Sequence, residues 1–417
     1  MSKLQSADFM DPETIQSPFE FYAAARAEAP VYKLPKSPVP GQDVYLVTRY
    51  DLIQSVIQNW RTFSNRFGHL MAGKDRADPE IREIVKDSVG SVDVLLTQDP
   101  PLHRGFRAIA AQEFTLRKVE QMDAYVRKIC DDLIDQFIDA GRCDFFREFA
   151  IPLPMYVISD RLGIPRSDLE LFKRWTTDAV SNIGRMKGRD AALSAARSSM
   201  EMQRYFLQLM EERRAAPGDD LISAVATARF NDERPLTSGE ALSIILSIMV
   251  AGNETATNAL AGGMVHFIRD PQGPERFAAD PSLIPNAVEE ILRLEASTKH
   301  MWRVVATDTE LGGVPLLAGS VLLLSYDAAN HDPAAFPEPM RCEFHRENAS
   351  AHLSFGAGIH HCLGALLARK ELTIAFERLH ARLTDIVIAD TVPLTYIPSI
   401  LHRGFEHLHL TFRPRNA

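Results

Sequence analysis

Cysteine is scarce in this chain: Cys130, Cys143, Cys342 and Cys362 are the only four in 417 residues, too few for a disulfide framework in a protein of this length. A reducing compartment suits that usage, and the cytoplasm is the expected location. His360-His361-Cys362 could be half of a zinc site, but no Cys-x-x-Cys or spaced histidine pair completes it. Positive charge is short as well, and the net charge of −9 argues against nucleic acid as a partner. No apolar run reaches the length that crosses a bilayer. The opening Met1-Ser2-Lys3-Leu4-Gln5-Ser6-Ala7-Asp8 has neither the apolar stretch nor the cleavage pattern of a signal peptide. Neither a membrane anchor nor export is therefore expected. Internal repeats and low-complexity tracts are also missing, and the balance of 46% hydrophobic and 24% charged residues is that of an ordinary globular protein. One domain over residues 1–417, acting as a monomer, is the expectation.

Helical patterns dominate what is there. Phe19 to Ala29 reads as a helix stopped by Pro30, and Tyr50 to Asn59 as another. Val31-Tyr32 and Val44-Tyr45-Leu46-Val47 flank a Pro/Gly-rich turn and read as a hairpin. Arg66 to Leu96 has weak periodicity and reads as a long loop. Leu116 to Glu212 is helical with few β signals, Cys130 falling in a helix core. Thr176 to Arg197 lacks a clear apolar stripe, and Arg213 to Asp220 reads as a linker. Strands are expected at Glu310–Leu316, Ser320–Leu324 and Leu408–Phe412, giving a mainly α fold with a small β-sheet region.

The stretch that carries chemistry is Phe355-Gly356-Ala357-Gly358-Ile359-His360-His361-Cys362-Leu363-Gly364, followed by strong helix formers from Ala365 to Leu372. It delivers one thiol to the start of a helix, where the macrodipole and open backbone N–H groups favour the metal-binding thiolate. Gly356 and Gly358 permit backbone angles closed to other residues, and Gly364 removes a side chain where something flat must approach. Phe355 supplies an aromatic surface. The physical reading is a thiolate under a planar, iron-bearing macrocycle; the plainer alternative is a small buried cysteine.

A second feature is a long apolar helix from Ala241 to Ile268, opened by the capping box Thr237-Ser238-Gly239-Glu240. A helix apolar on every side belongs at the centre of a large protein. Its middle, Ala251-Gly252-Asn253-Glu254-Thr255-Ala256-Thr257-Asn258, places glycine, an acid and threonines where a structural helix would not. Mid-helix threonine loosens the backbone ladder, and such openings mark functional sites. The alternative is that Glu254 lies on an exposed strip and the threonines fill space.

Three further motifs stand in order. Asp99-Pro100-Pro101-Leu102-His103-Arg104-Gly105-Phe106-Arg107 puts His103 and Arg107 on one helix face, ordinarily a solvated basic face. Glu290 and Arg293, at i, i+3, would ordinarily be a surface pair. Ser297-Thr298-Lys299-His300-Met301-Trp302-Arg303 follows, with Lys299 and His300 expected to be exposed, or one of them to anchor a polar substrate group.

Phe-Gly-x-Gly-x-His-x-Cys-x-Gly resembles the haem-binding signature of the cytochrome P-450 superfamily at every defining position, and the likeness runs over essentially the whole chain. The long helix resembles the family's Ala-Gly-x-Asp/Glu-Thr-Thr motif, departing only at Ala256. The resemblance implies the P-450 fold, with haem b held between the long central helix and the cysteine loop, and Cys362 as the axial, metal-binding ligand. It implies that His103, Arg107 and Arg303 contact haem propionates, that Phe355, His360 and Gly364 belong to the cofactor-binding loop, and that Glu254 and Thr255 relay protons. Glu290 and Arg293 become a buried structural pair, with Arg341 expected as third partner. Where the family usually has proline, Ser297 leaves the backbone less constrained. Lack of a membrane anchor resembles the soluble bacterial type. The implied activity is hydroxylation of a hydrophobic small molecule with O2. No flavin or iron–sulfur segment is fused, so electrons are expected from a [2Fe–2S] ferredoxin and its NAD(P)H-dependent reductase. Arg104 is expected to contribute to a local basic patch for the ferredoxin. The alternatives are a peroxygenase using H2O2 and a non-catalytic haem sensor.

Overall fold

A reciprocal capping box starts the longest helix, Ser238–Arg269. The Thr237 amide donates to Glu240 Oε2 at 2.8 Å and the Glu240 amide to Thr237 Oγ1 at 3.2 Å, closing two amides that a helix start leaves open. Arg234 forks onto the same carboxylate at 2.6 and 2.8 Å and, with the Thr237 bonds, holds Glu240 down to about 2. The 32 residues of this helix extend about 48 Å. It runs unbroken through Gly252 and Thr255, without the local opening that its threonines suggest.

The computed structural model describes residues 4, 9–39, 41–71, 78–181, 189–270, 275–389 and 393–415. Their contacts divide the chain into two compact units. One comprises Met1–Ser64, Val119–Leu153 and Thr255–Ala417, and the other Asn65–Lys118 and Pro154–Glu254.

The first unit holds a sheet of five strands, in the order Val31–Lys33, Val44–Val47, Val321–Ser325, His300–Val305 and Phe63–Ser64. The expected hairpin forms with Val31 opposite Val47, and Val321–Ser325 joins it in parallel. His300–Val305 then pairs antiparallel, with Arg303 opposite Leu322. Helix Tyr50–Gln58 brings Ile53, Val56 and Ile57, at i, i+3, i+4 spacing, onto Leu322, Leu324 and Leu353. The run expected as one strand at Glu310–Leu316 is two, Thr309–Leu311 and Val314–Leu316, turned back at Gly312-Gly313. A smaller sheet pairs Leu383–Ile388, His409–Pro414 and Arg142–Asp144. Helix Asp123–Asp135 buries Cys130 as expected. At its C-terminal end the long helix packs Phe267 against Phe277 and Phe376, each at 4.6 Å between centroids, and Phe344 at 5.0 Å. Fully buried rings of this kind contribute roughly 2 kcal/mol each and tie the long helix to helix Ala365–Arg382.

The second unit is built on helices Leu102–Ala111, Leu169–Ser181, Arg189–Ala215 and Leu221–Thr227. The region read as a loop from Arg66 to Leu96 contains short helices Gly68–Met71 and Pro79–Ile84, the latter begun by an Asp78 side-chain cap and a proline. Helix Arg189–Ala215 has an inward face of Ala192, Leu193, Ala195, Ala196 and Met200, made largely of alanine and therefore faint as a hydrophobic stripe. Residues 182–188, inside the stretch expected to lack such a stripe, lie outside the described residues. Among the described residues no helix is long and apolar enough to cross a membrane.

Candidate active site

Backbone strain permitted by glycine shapes the cysteine loop. Gly356 and Gly358 take φ values of +62° and +64°, and a Cβ on Gly358 would also stand 3.1 Å from Ile57 O. A side chain there would be strained in conformation and crowded by helix Tyr50–Gln58. The Cys362 amide donates to Phe355 O at 2.8 Å, closing the loop, and Gly364 occupies the N-cap of helix Ala365–Arg382. Nothing lies within 4 Å of a Cβ built on Gly364. His360 ends a single 3₁₀ turn and is half-buried. The Phe355 ring carries the Arg369 guanidinium at 4.6 Å. Of the four cysteines Cys362 alone is exposed. Burial pushes the thiols of Cys130 and Cys143 far up, and that of Cys342 up to about 12.

A buried charge network supports the loop. Arg293 binds Glu290 at 2.7 and 2.8 Å, both side chains fully buried, and gives Nη1 to Asn330 O and Pro339 O. The third partner is Arg346, whose Nε reaches both Glu290 oxygens at 3.1 Å. This corrects the expectation of Arg341: that side chain is exposed and pairs with Glu338, while its carbonyl accepts from Arg293 and Arg346. The chain entering the loop is stitched to the same place. Ser354 Oγ donates to Leu292 O at 2.5 Å, and Asn330 binds both Ser354 Oγ and the Leu353 amide.

The long helix is buried along most of its length but has accessible positions at Ser247, Val250, Ala251, Glu254 and Thr255. Spaced by three and four, they share one face, with Leu246 and Gly252 half-buried to either side. Ala256, the one departure from the family pattern, points into the core. Ser297 Oγ donates to Thr255 O at 2.8 Å, and Ser297 O accepts from the Arg403 amide at 3.0 Å. The backbone expected to be loose for want of proline is therefore pinned by a hydroxyl, a role the sequence signals only as a missing ring.

His103 is buried on helix Leu102–Ala111, so its face is not a solvated one; burial first, and then the Arg107 charge, bring its imidazole down to about 4. Arg107 is half-buried and Arg104 exposed. Arg303 is buried, gives Nη1 to Trp302 O at 2.7 Å, and among the described residues has no carboxylate within ion-pair range. Contrary to expectation, Lys299 and His300 are buried too, 3% and 1% exposed. His300 is a satisfied core histidine. Its Nδ1 meets Ile400 O and its Nε2 the Tyr22 hydroxyl at 3.1 Å, it packs on Phe9, and burial brings it down to about 3.

Within the first unit, an exposed cysteine at a helix start and a buried arginine without an acid partner have the chemistry that a metal macrocycle bearing carboxylates calls for. Residues 186–384 match the family model described as Cytochrome P450. The chain is 35% identical over 325 residues to the steroid C26-monooxygenase of Mycobacterium tuberculosis (strain CDC 1551 / Oshkosh), covering 78% of this chain and 87% of that protein. It is 34% identical over 400 residues to the 6-deoxyerythronolide B hydroxylase of Saccharopolyspora erythraea, covering 94% and 95%. Among solved structures, P450BioI in complex with hexadec-9Z-enoic acid ligated acyl carrier protein superposes with a TM-score of 0.85 at 30% identity, over 96% of this chain and 99% of that one. The chain belongs to the cytochrome P450 family. It is a monooxygenase that uses haem b and O2 and is reduced by redox partners. The residues present fit haem: the thiol is exposed, the loop leaves Gly364 open, and Arg303 carries an unmatched buried charge.

Proposed function

We propose that this enzyme hydroxylates a hydrophobic small molecule, with electrons delivered by a separate [2Fe–2S] ferredoxin and its NAD(P)H-dependent reductase. The observation that carries the reading is Cys362, the one exposed cysteine, presented at the start of helix Ala365–Arg382. Cys362 holds the iron; Phe355, His360 and Gly364 shape the loop around it; His103, Arg107 and Arg303 bind the propionates. When bound through this thiolate, haem b supplies the activation of O2 for insertion into a C–H bond. Glu254 takes a proton from solvent and the Thr255 hydroxyl passes it inward, a relay that their successive positions on the open helix face support. His103 donates a hydrogen bond to a propionate, beside the arginines that meet its charge. Glu290, Arg293 and Arg346 keep the cysteine loop in place and take no part in the chemistry. Residues 1–417 act as one catalytic domain, working as a monomer in the cytoplasm.

A hydrophobic substrate is supported by Val250 and Ala251 on that open face, and by relatives named for a steroid and for 6-deoxyerythronolide B. Exposed Arg104 supports a docking patch for an acidic ferredoxin. The deciding experiment replaces Cys362 with serine and records the carbon-monoxide difference spectrum of the ferrous protein. The thiolate band is expected to vanish in the variant; its survival would overturn the assignment. Product formation that depends on NAD(P)H, ferredoxin and reductase, and not on added H2O2, separates this reading from a peroxygenase or a sensor.

A further inference from the structure

Among the described residues, five lysine and arginine side chains are buried: Arg293, Lys299, Arg303, Arg346 and Arg403. Three of them meet a carboxylate directly. Arg293 and Arg346 share Glu290 at 2.7 and 3.1 Å, and Arg403 binds Glu295 at 3.0 Å. Lys299 and Arg303 do not. A cation withdrawn from water without an acid partner is costly, and a fold retains one where something else is to meet it. Arg303 is assigned above to the cofactor; Lys299 has no such role.

The surroundings of Lys299 narrow what it meets. Its ammonium makes no hydrogen bond to a described residue. Fully buried Asp327 favours its charge, but Asp327 Oδ1 faces His331 Nδ1 at 3.4 Å and lies beyond ion-pair range of Lys299, while Arg403 opposes it. Burial brings the lysine down to about 8, against Asp327. Its backbone is fixed on both sides, the amide donating to Leu401 O at 2.8 Å and the carbonyl accepting from the Asp327 amide at 3.2 Å. Lys299 stands two residues after Ser297, which bonds the Thr255 carbonyl, and four before Arg303, about 13 Å for extended chain. It is therefore held on the segment that joins the proposed proton relay to the proposed propionate ligand.

We propose that Lys299 receives the carboxylate of the substrate, so that the enzyme takes an amphipathic monoacid: an apolar body ending in one carboxylate. The proposal rests on the monooxygenase reading above. A single ammonium with no hydrogen-bond partner can meet one carboxylate, where a dianion would leave its second charge buried and unpaired. As a point donor with no fixed fork, lysine also accepts a carboxylate in more than one orientation.

The test is optical titration of the haem-loaded protein with matched pairs of acid and methyl ester on several apolar bodies: a linear fatty chain, a 4-alkylbenzoate and a polycyclic terpenoid acid. At least one acid is expected to bind about tenfold or more tighter than its ester, the scale of one charge-assisted hydrogen bond. Lys299→Met should close that gap and Lys299→Arg should keep most of it. Absence of acid preference in every pair, including failure of all the acids to bind, overturns the proposal, and so does a gap that survives Lys299→Met. The wild-type comparison stands even where the methionine variant folds poorly. A ferrous carbon-monoxide spectrum on the same sample separates the two levels of the argument. Without the thiolate band the monooxygenase reading fails, whereas a normal band without acid preference fails only the role of Lys299.

Discussion

Glu371 lies on the inward face of helix Ala365–Arg382, 4% exposed, and burial pushes its carboxyl up to about 8 from an ordinary 4.5. Replacing it with glutamine keeps the shape and removes the titration. The sign follows from proton counting. Below about pH 4.5 the carboxyl is protonated in both folded and unfolded chains and costs nothing extra. As pH rises towards 8 the unfolded chain loses its proton while the folded one keeps it, so the folded state is progressively disfavoured. At roughly 1.36 kcal/mol for each pH unit, the interval from 4.5 to about 8 amounts to about 5 kcal/mol, an upper figure because local water entry relieves part of it. Glu371→Gln should therefore be nearly neutral at about pH 4.5 and increasingly stabilising up to about pH 8, beyond which the gain is constant. Urea denaturation of wild type and variant, followed by far-ultraviolet circular dichroism at several pH values, measures the gap. Equal midpoint shifts at about pH 5 and about pH 8.5 would refute the reasoning, because only a carboxyl held protonated by burial makes the difference grow with pH.

Two further substitutions test the supports of the site. Arg346→Met should cost about 3–5 kcal/mol by leaving Glu290 under-compensated in the interior, whereas Arg341→Met, removing an exposed pair, should cost under about 1 kcal/mol. Equal costs in denaturant titrations would return Arg341 to the network. Ser297→Ala removes the hydroxyl from the Thr255 carbonyl, a bond worth about 1 kcal/mol. Its expected effect is a few-fold rise in NAD(P)H consumed per product in the reconstituted system, with the carbon-monoxide band unchanged; unaltered coupling would show that the bond does not position Thr255.

The parts of the site legible in the sequence are those whose chemistry is local. A capping box announces itself by spacing, and the apolar run it opens, Ala241 to Ile268, falls inside helix Ser238–Arg269 of the structure. The cysteine loop is likewise local, since the positive φ angles of Gly356 and Gly358 and the helix start that follows are written in consecutive residues. Arg341 and Arg346 could not be told apart in this way. Both are arginines a few residues along one irregular segment, and only tertiary burial decides that Arg346 faces Glu290 while Arg341 faces water. Strand His300–Val305 was hidden for a related reason, because a lysine and histidine before Met301 and an arginine after Trp302 erase the alternation that marks a half-buried strand.

Charge was the least reliable guide, and the reason is physical. Sequence reading sends lysine and arginine outward because the desolvation of an unpaired cation is large. That rule holds whenever a residue is judged alone, and it fails where the protein itself or a bound group supplies the opposite charge. Arg293, Arg346 and Arg403 are exceptions that the chain resolves internally, through Glu290 and Glu295. Arg303 is buried without such an acid, and Lys299, four residues earlier on the same segment, has only Asp327, beyond ion-pair range, to favour its charge. With a haem propionate proposed for Arg303, the same energetic argument favours a hydrogen-bonded anion at Lys299 beyond the distant Asp327, and the substrate is a component of the reaction that can bring one.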